Sequence, residues 1–192
     1  MKSNEETILL EGPAGAIETV IDGPTAPRGI ALVCHPHPLF GGTNTNKVAQ
    51  TLARTFAQMD YVALRPNFRG VGQSGGTHAH GDGETDDMLA VLDEARRIFG
   101  ELPVVLAGFS FGTYVQAQLR ERLTEDEVHG MILVGPAVSR HDFPTVPADT
   151  LVIHGEEDEV IPLAAVMDWA RPHHLPIVVV PGTGHFFHGR LT

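Results

Sequence analysis

Ser110 stands between two glycines in Gly108-Phe109-Ser110-Phe111-Gly112, directly after the apolar run Val104-Val105-Leu106. A serine hydroxyl is too weak an acid to ionise near neutral pH. It becomes a nucleophile only beside a base, most often a histidine that a carboxylate orients. Such a serine attacks acyl carbonyls, and the oxyanion that develops needs N–H donors aimed at it. If base, acid and donors are missing from the rest of the chain, the pentapeptide is only a tight turn.

Histidines are plentiful, but their positions are not equivalent. His185 follows the last apolar run, Ile177–Val180, within Pro181-Gly182-Thr183-Gly184-His185. It is late enough for the order serine, acid, histidine that strand–helix sheets with a nucleophile at a sharp strand-to-helix turn use. His188 is the runner-up. His173 and His174 precede the run and read as surface residues, and His35 precedes the serine and reads as structural. The acid belongs between Ser110 and His185, where residues 151–162 are LVIHGEEDEVIP. The spacing G-x-x-D-x-x-I-P selects Asp158, with Pro162 opening the next helix. Glu156, Glu157 and Glu159 are assigned to the dipole of that helix. For the oxyanion, His35-Pro36-His37-Pro38-Leu39-Phe40-Gly41-Gly42 follows an early strand. Prolines have no N–H to donate, so the backbone N–H of His37 is paired with that of Phe111, and Leu39 is the alternative donor. The cleft is expected to be rimmed by Leu39, Phe40, Phe111, Phe143 and Phe186.

These residues need a frame that brings them together. After two probable antiparallel strands, Thr7–Glu11 and Ala16–Ile21, short apolar runs alternate with helical patterns. The strands are predicted at Ile30–Cys34, Tyr61–Pro66, Val104–Gly108, Met131–Val134, Leu151–His154 and Ile177–Val180. Their runs lack polar alternation, as in strands buried on both faces. Helices are predicted at Asn46–Gln58, Glu84–Phe99, Phe111–Leu123 and Leu163–Ala170. In the second, Met88, Leu89, Leu92, Ala95 and Ile98 recur at spacings of three and four and form a buried stripe. Strands alternating with helices give a mostly parallel sheet of about seven or eight strands, covered on both faces, with functional groups at the carboxyl ends of the strands. The whole of residues 1–192 is expected to form one domain.

Composition excludes several classes. Apolar residues make up 42% and charged residues 19% of the chain, which is globular rather than disordered. The net charge of −11 disfavours nucleic acid and anionic membranes as partners. No long apolar stretch or signal-like leader is present. Cys34 is the single cysteine, so no internal disulfide can form and a cytoplasmic setting is expected. The pairs His35/His37, His78/His80 and His173/His174 lack a cysteine or carboxylate that completes a ligand motif, so neither metal nor cofactor is expected.

The stretches HPHPLFGG with Asn46-Lys47-Val48, RPNFRGVGQSGG, GDGETDD, GFSFGT, HGEEDEVIP and GTGHFFHG together resemble the α/β-hydrolase superfamily. More narrowly, they are similar to small, lidless bacterial serine hydrolases related to dienelactone hydrolases and carboxylesterases. The resemblance implies a Ser110–Asp158–His185 triad, an acyl-enzyme and a small-molecule acyl substrate, in a monomer or homo-oligomer. Dienelactone hydrolases proper use a cysteine where this chain has Ser110. Asn67–Gly76 and the acids Asp82, Glu84, Asp86 and Asp87 are expected to build loops and helix caps. Members of the superfamily normally carry a long helix after the histidine, and the sequence given stops at Thr192; that helix is expected to be trimmed from it, or its face covered by a partner. A lid is usually inserted where this chain has Gly135–Thr150, and Pro136, Pro144 and Pro147 speak against a helical cap there. The expectation is an esterase for short acyl groups. A thioesterase or serine peptidase would use the same machinery, and a non-catalytic interaction module could share the fold.

Overall fold

The computed structural model describes residues 5–191. Its strands are β1 (Glu6–Gly12), β2 (Gly15–Asp22), β3 (Gly29–Cys34), β4 (Tyr61–Pro66), β5 (Val104–Phe109), β6 (Gly130–Val134), β7 (Leu151–Gly155) and β8 (Ile177–Val180). They form one eight-stranded sheet in the order β1-β2-β4-β3-β5-β6-β7-β8. The β1–β2 hairpin adds antiparallel to β4, and all pairs from β4 through β8 are parallel. The helices are α1 (Lys47–Gln58), α2 (Asp82–Phe99), α3 (Phe111–Arg122) and α4 (Leu163–Ala170).

The unalternated strand sequences sort by residue size rather than polarity. On one face Ile30, Leu32 and Cys34 of β3 join Leu106, Met88, Leu92, Val115 and Leu119 beneath α2 and α3. On the other, Ala31 and Val33 join Ala63 and Ala107 against Ala49, Ala53 and Phe56 of α1. Alanines facing alanines let α1 lie close to the sheet. The large aliphatic groups opposite contribute about 1.5–3 kcal/mol each when fully buried.

Two helix details differ from the sequence pattern. Asn46 is the cap of α1 rather than its first residue, because its side chain accepts the N–H groups of Val48 and Ala49 at 2.9 and 3.3 Å. Ile98 leaves the buried stripe of α2 and is 45% exposed, while Val91 is fully buried. Ten residues beyond Met88, a 3.6-residue period has carried it about 80° round the helix. The acids at the start of α2 do the expected architectural work. Glu84 accepts the N–H groups of Ala79 and Gly81, and Asp87 pairs through both oxygens with Arg69 at 2.8 Å. No helix among the described residues is long and apolar enough to cross a membrane.

The carboxyl ends of β3 and β4 are tied together by His35. A backbone N–H only donates, so the imidazole accepts the Phe68 N–H at Nε2 (3.0 Å) and donates from Nδ1 to the Pro36 carbonyl (2.7 Å). Complete burial pushes its pKa down to about 4. Above about pH 6.5 the ring is neutral in folded and unfolded chains alike; as the pH falls towards 4, only the unfolded chain takes up the proton, and stability is lost. Urea denaturation should therefore show native protein losing about 2 kcal/mol more than His35→Gln between pH 7 and pH 5. Equal losses in the two proteins would contradict this account.

Candidate active site

β5 stops at Phe109, and α3 begins at Phe111. Ser110, between them, has φ 55° and ψ −120°, a left-handed backbone that costs a side-chain-bearing residue on the order of 1–3 kcal/mol. Its neighbours make the turn possible. A Cβ at Gly108 would lie 2.6 Å from the Gly112 carbonyl carbon, and one at Gly112 would meet the Cys34 carbonyl oxygen and lie 2.6 Å from that of His35. The two glycines thus let α3 rest directly on the backbone of β5 and of the residues ending β3. Thr113 closes the turn, donating from Oγ1 to the Ser110 carbonyl (2.5 Å) and accepting the Ala137 N–H (3.1 Å).

The loops after β7 and β8 bring the other two predicted groups to Ser110. His185 Nε2 lies 3.0 Å from Ser110 Oγ, and His185 Nδ1 lies 2.6 Å from Asp158 Oδ2. Asp158 and His185 are both buried, whereas Glu156, Glu157, Glu159 and His188 are exposed. Burial alone would raise the Asp158 carboxyl. The hydrogen bond to His185 and the N–H groups of Ile161 and Val160, at 2.7 and 2.9 Å on Oδ1, outweigh it and hold the pKa below the usual carboxylate value. An ionised Asp158 only accepts, so the proton sits on Nδ1 and Nε2 is free to accept the serine hydroxyl. Buried His154, the first residue of the HGEEDEVIP stretch but assigned no role there, donates from Nε2 to the Ile161 carbonyl (2.8 Å) and stands 3.5 Å from Asp158 Oδ2. Its signal in the sequence was its place at the end of β7.

The N–H of His37 has no acceptor among the described residues, and that of Phe111 is in the first turn of α3, where helix N–H groups lack internal partners. The Leu39 N–H, the alternative donor, is taken by His37 Nδ1 at 3.2 Å. Burial, with His78 and His141 nearby, holds the His37 imidazole below its usual pKa, which keeps Nδ1 available as that acceptor.

A cleft of about 540 Å³ opens over Ser110, lined by His37, Phe40, Phe111, Arg140, His141 and Phe186 among others. Phe40 and Phe186 are at its rim. Leu39 and Phe143 do not line it. Leu39 sits in the 3-10 turn Pro38–Phe40, where successive side chains point about 120° apart; with Phe40 at the rim, Leu39 turns to solvent. Phe143 packs edge-on to Trp169 at 5.2 Å, in the cluster under α3 and α4. Arg140 and His141, from the Gly135–Thr150 segment, line the cleft although no sequence motif marks them. The segment contains no helix, and nothing in it caps the cleft.

A family model described as serine aminopeptidase, S33, matches residues 25–150, from before β3 to the last residue before β7. The chain belongs to this hydrolase family. An uncharacterized protein of Rickettsia prowazekii is 33% identical, over 94% of this chain and 81% of that protein. An α/β serine hydrolase without a lid from Xanthomonas campestris superposes with a TM-score of 0.91 at 36% identity, covering 100% of this chain and 90% of that one. An α/β serine hydrolase homologue from Coxiella burnetii gives 0.89 at 37% identity, covering 100% and 93%. The hydrolase thus has the lidless α/β-hydrolase fold. The family match reaches Ser110 but ends before Asp158 and His185, which the fold brings to the serine through β7 and β8.

Because the Cβ of an alanine at position 112 would meet backbone rather than a movable side chain, Gly112→Ala should lower stability by about 1–3 kcal/mol. Urea denaturation measures this. An unchanged midpoint would mean that α3 can lift from β3 at no cost.

Proposed function

We propose that the hydrolase cleaves short-chain carboxylic esters through a Ser110–His185–Asp158 triad. The observation that carries this is the continuous hydrogen-bond chain from Asp158 Oδ2 through both imidazole nitrogens to Ser110 Oγ, at 2.6 and 3.0 Å. In the proposed reaction His185 Nε2 takes the hydroxyl proton as Ser110 Oγ attacks the ester carbonyl, and Asp158 stabilises the imidazolium. The N–H groups of His37 and Phe111 hold the oxyanion. As the tetrahedral intermediate collapses, Nε2 returns the proton to the leaving alkoxide, and an acyl-enzyme remains. A water, deprotonated by the same nitrogen, then releases the acid and restores Ser110.

The family description raises peptide amides as a second substrate class. An enzyme that takes a free amino terminus needs a carboxylate to receive the ammonium group. Among the described residues lining the cleft there is no Asp or Glu. Asp158 is not available either, since its oxygens already serve His185, Val160 and Ile161. Esters fit better than aminopeptidase substrates.

An activity-based fluorophosphonate should label native protein at Ser110 and leave Ser110→Ala unlabelled. On any ester that is turned over, Ser110→Ala and His185→Ala should each lower kcat by about 10⁴ or more. Asp158→Asn should be severely impaired while folded, and Glu157→Gln should stay within a few-fold of native. Near-native turnover by Ser110→Ala removes the nucleophile assignment, and the opposite ranking of the two acids removes Asp158.

Chain-length preference follows from the open cleft. Phe40 is 87% exposed and Phe186 41% exposed, so the aromatic rim offers little enclosure to an acyl chain. Each methylene left in water forgoes about 0.8 kcal/mol. A series of 4-nitrophenyl esters should show kcat/KM highest at about two to six acyl carbons, with no jump at the micelle threshold. A preference for long chains would contradict an open site.

A further inference from the structure

The cleft at Ser110 has the opposite charge bias to the chain that builds it. The sequence holds 24 Asp and Glu against 13 Lys and Arg. Yet the described residues lining the cleft include Arg140 and no carboxylate. Asp142 is two residues away in sequence and Glu159 adjoins Val160, whose carbonyl Arg140 bonds, but among the described residues neither forms an ion pair with Arg140.

Several arginines form no ion pair among the described residues, Arg28 and Arg120 among them, each bonding a backbone carbonyl instead; Arg140 is the arginine of this kind that lines the cleft. Arg69 is neutralised by Asp87 and Arg171 by Asp168, at 2.8 and 2.7 Å. The Arg140 guanidinium has no ion pair among the described residues. Its side-chain hydrogen bond runs from Nη2 to the Val160 carbonyl at 3.2 Å, which fastens it to the loop that carries Asp158 and leaves Nη1 and Nε without partners among the described residues. Its backbone is set by an N–H···O bond to Ala137 at 3.0 Å. His141, next to it, is held by stacking on Tyr114 (ring centroids 4.2 Å, planes 10° apart) and by Phe111 at 5.5 Å, not by a carboxylate. A guanidinium is always charged, and its planar fork matches a carboxylate through two parallel hydrogen bonds.

We propose that Arg140 forms an anion subsite beside Ser110, and that the ester this cleft takes carries a carboxylate lying against the Ala137–His141 segment. Phe40, Phe111 and Phe186 would pack the short apolar stem between that carboxylate and the ester carbonyl. The subsite presupposes the ester-hydrolase reading of Ser110. Either half of the ester can bring the carboxylate, and the choice of substrates separates the two cases.

The test compares two pairs of esters that differ only in a carboxylate against its neutral amide. Ethyl hydrogen glutarate with ethyl 4-carbamoylbutanoate places the group on the acyl half; 3-acetoxypropanoate with 3-acetoxypropanamide places it on the alcohol half. In native protein one pair should show a kcat/KM ratio of about fivefold or more in favour of the carboxylate, the size expected of an ion pair open to solvent. That ratio should fall to about one in Arg140→Gln, survive in part in Arg140→Lys, and shrink in 1 M salt, where screening reaches about 3 Å. A native ratio near one for both pairs, or a ratio that Arg140→Gln leaves intact, overturns the subsite. If no ester is hydrolysed, the ester reading fails separately. Calorimetric titration of Ser110→Ala with the same four compounds then decides: carboxylate binding that Arg140→Gln abolishes upholds the subsite, and equal or absent binding of carboxylate and amide overturns it.

Discussion

Ser110 is held in a left-handed backbone conformation, and the surrounding architecture exists in a form that compensates for this strain. The turn works because α3 presses on bare backbone at two points, Gly108 against Gly112, and Gly112 against the carbonyls of Cys34 and His35. That contact sets the distance between α3 and the sheet, and so the height at which the serine oxygen stands above the strand ends. It also fixes which strands flank the nucleophile. β3 runs beside β5 in register, with Cys34 opposite Gly108, so the segment after β3 emerges next to Ser110. Buried Gln116 adds to this clamp from within α3, donating to the carbonyls of Leu32 and Ala107 at 2.7 and 2.9 Å.

His35 and Asp158 are held by the backbone of adjacent loops, and this gives each of these side chains a single orientation. His35 bridges the segments leaving β3 and β4, and the ring's two nitrogens are both used, so its tautomer is fixed. Asp158 is oriented in the same manner. Two N–H groups of its own loop fill Oδ1, and only Oδ2 remains for His185. In the proposed mechanism this division matters, because a carboxylate free to rotate would not select the Nδ1–H tautomer of the base.

Charge is distributed against the average of the chain. Some acidic residues cap helices or form ion pairs away from the cleft, as Glu84 does at the start of α2 and Asp87 does with Arg69. What faces the cleft is an arginine, imidazoles and aromatic rings. Burial holds His37 and His141 below the usual histidine pKa, whereas the Arg140 guanidinium is always charged. An acidic protein therefore need not select a cationic ligand, since local potential is set by the groups within a Debye length.

Much of this was legible in the sequence because its signals are local. A β-branched or leucine-rich run without alternation demands a strand buried on both faces, and the glycines around Ser110 mark a turn that larger residues would block. Asp158 could be told from Glu157 and Glu159 by spacing, because a turn before a proline-capped helix repeats its geometry wherever it occurs. The sequence thus contained the sheet, the helices and the order of Ser110, Asp158 and His185. Only the tertiary structure decided which neighbours face the cleft. Phe40 and Phe186 reach it, whereas Leu39 and Phe143, equally apolar and as close in sequence, turn to solvent and to Trp169. Arg140 and His141 carried no motif at all. Their positions depend on how the loops after β6 and β7 fold over one another, and contacts between segments remote in sequence leave no periodic trace along the chain.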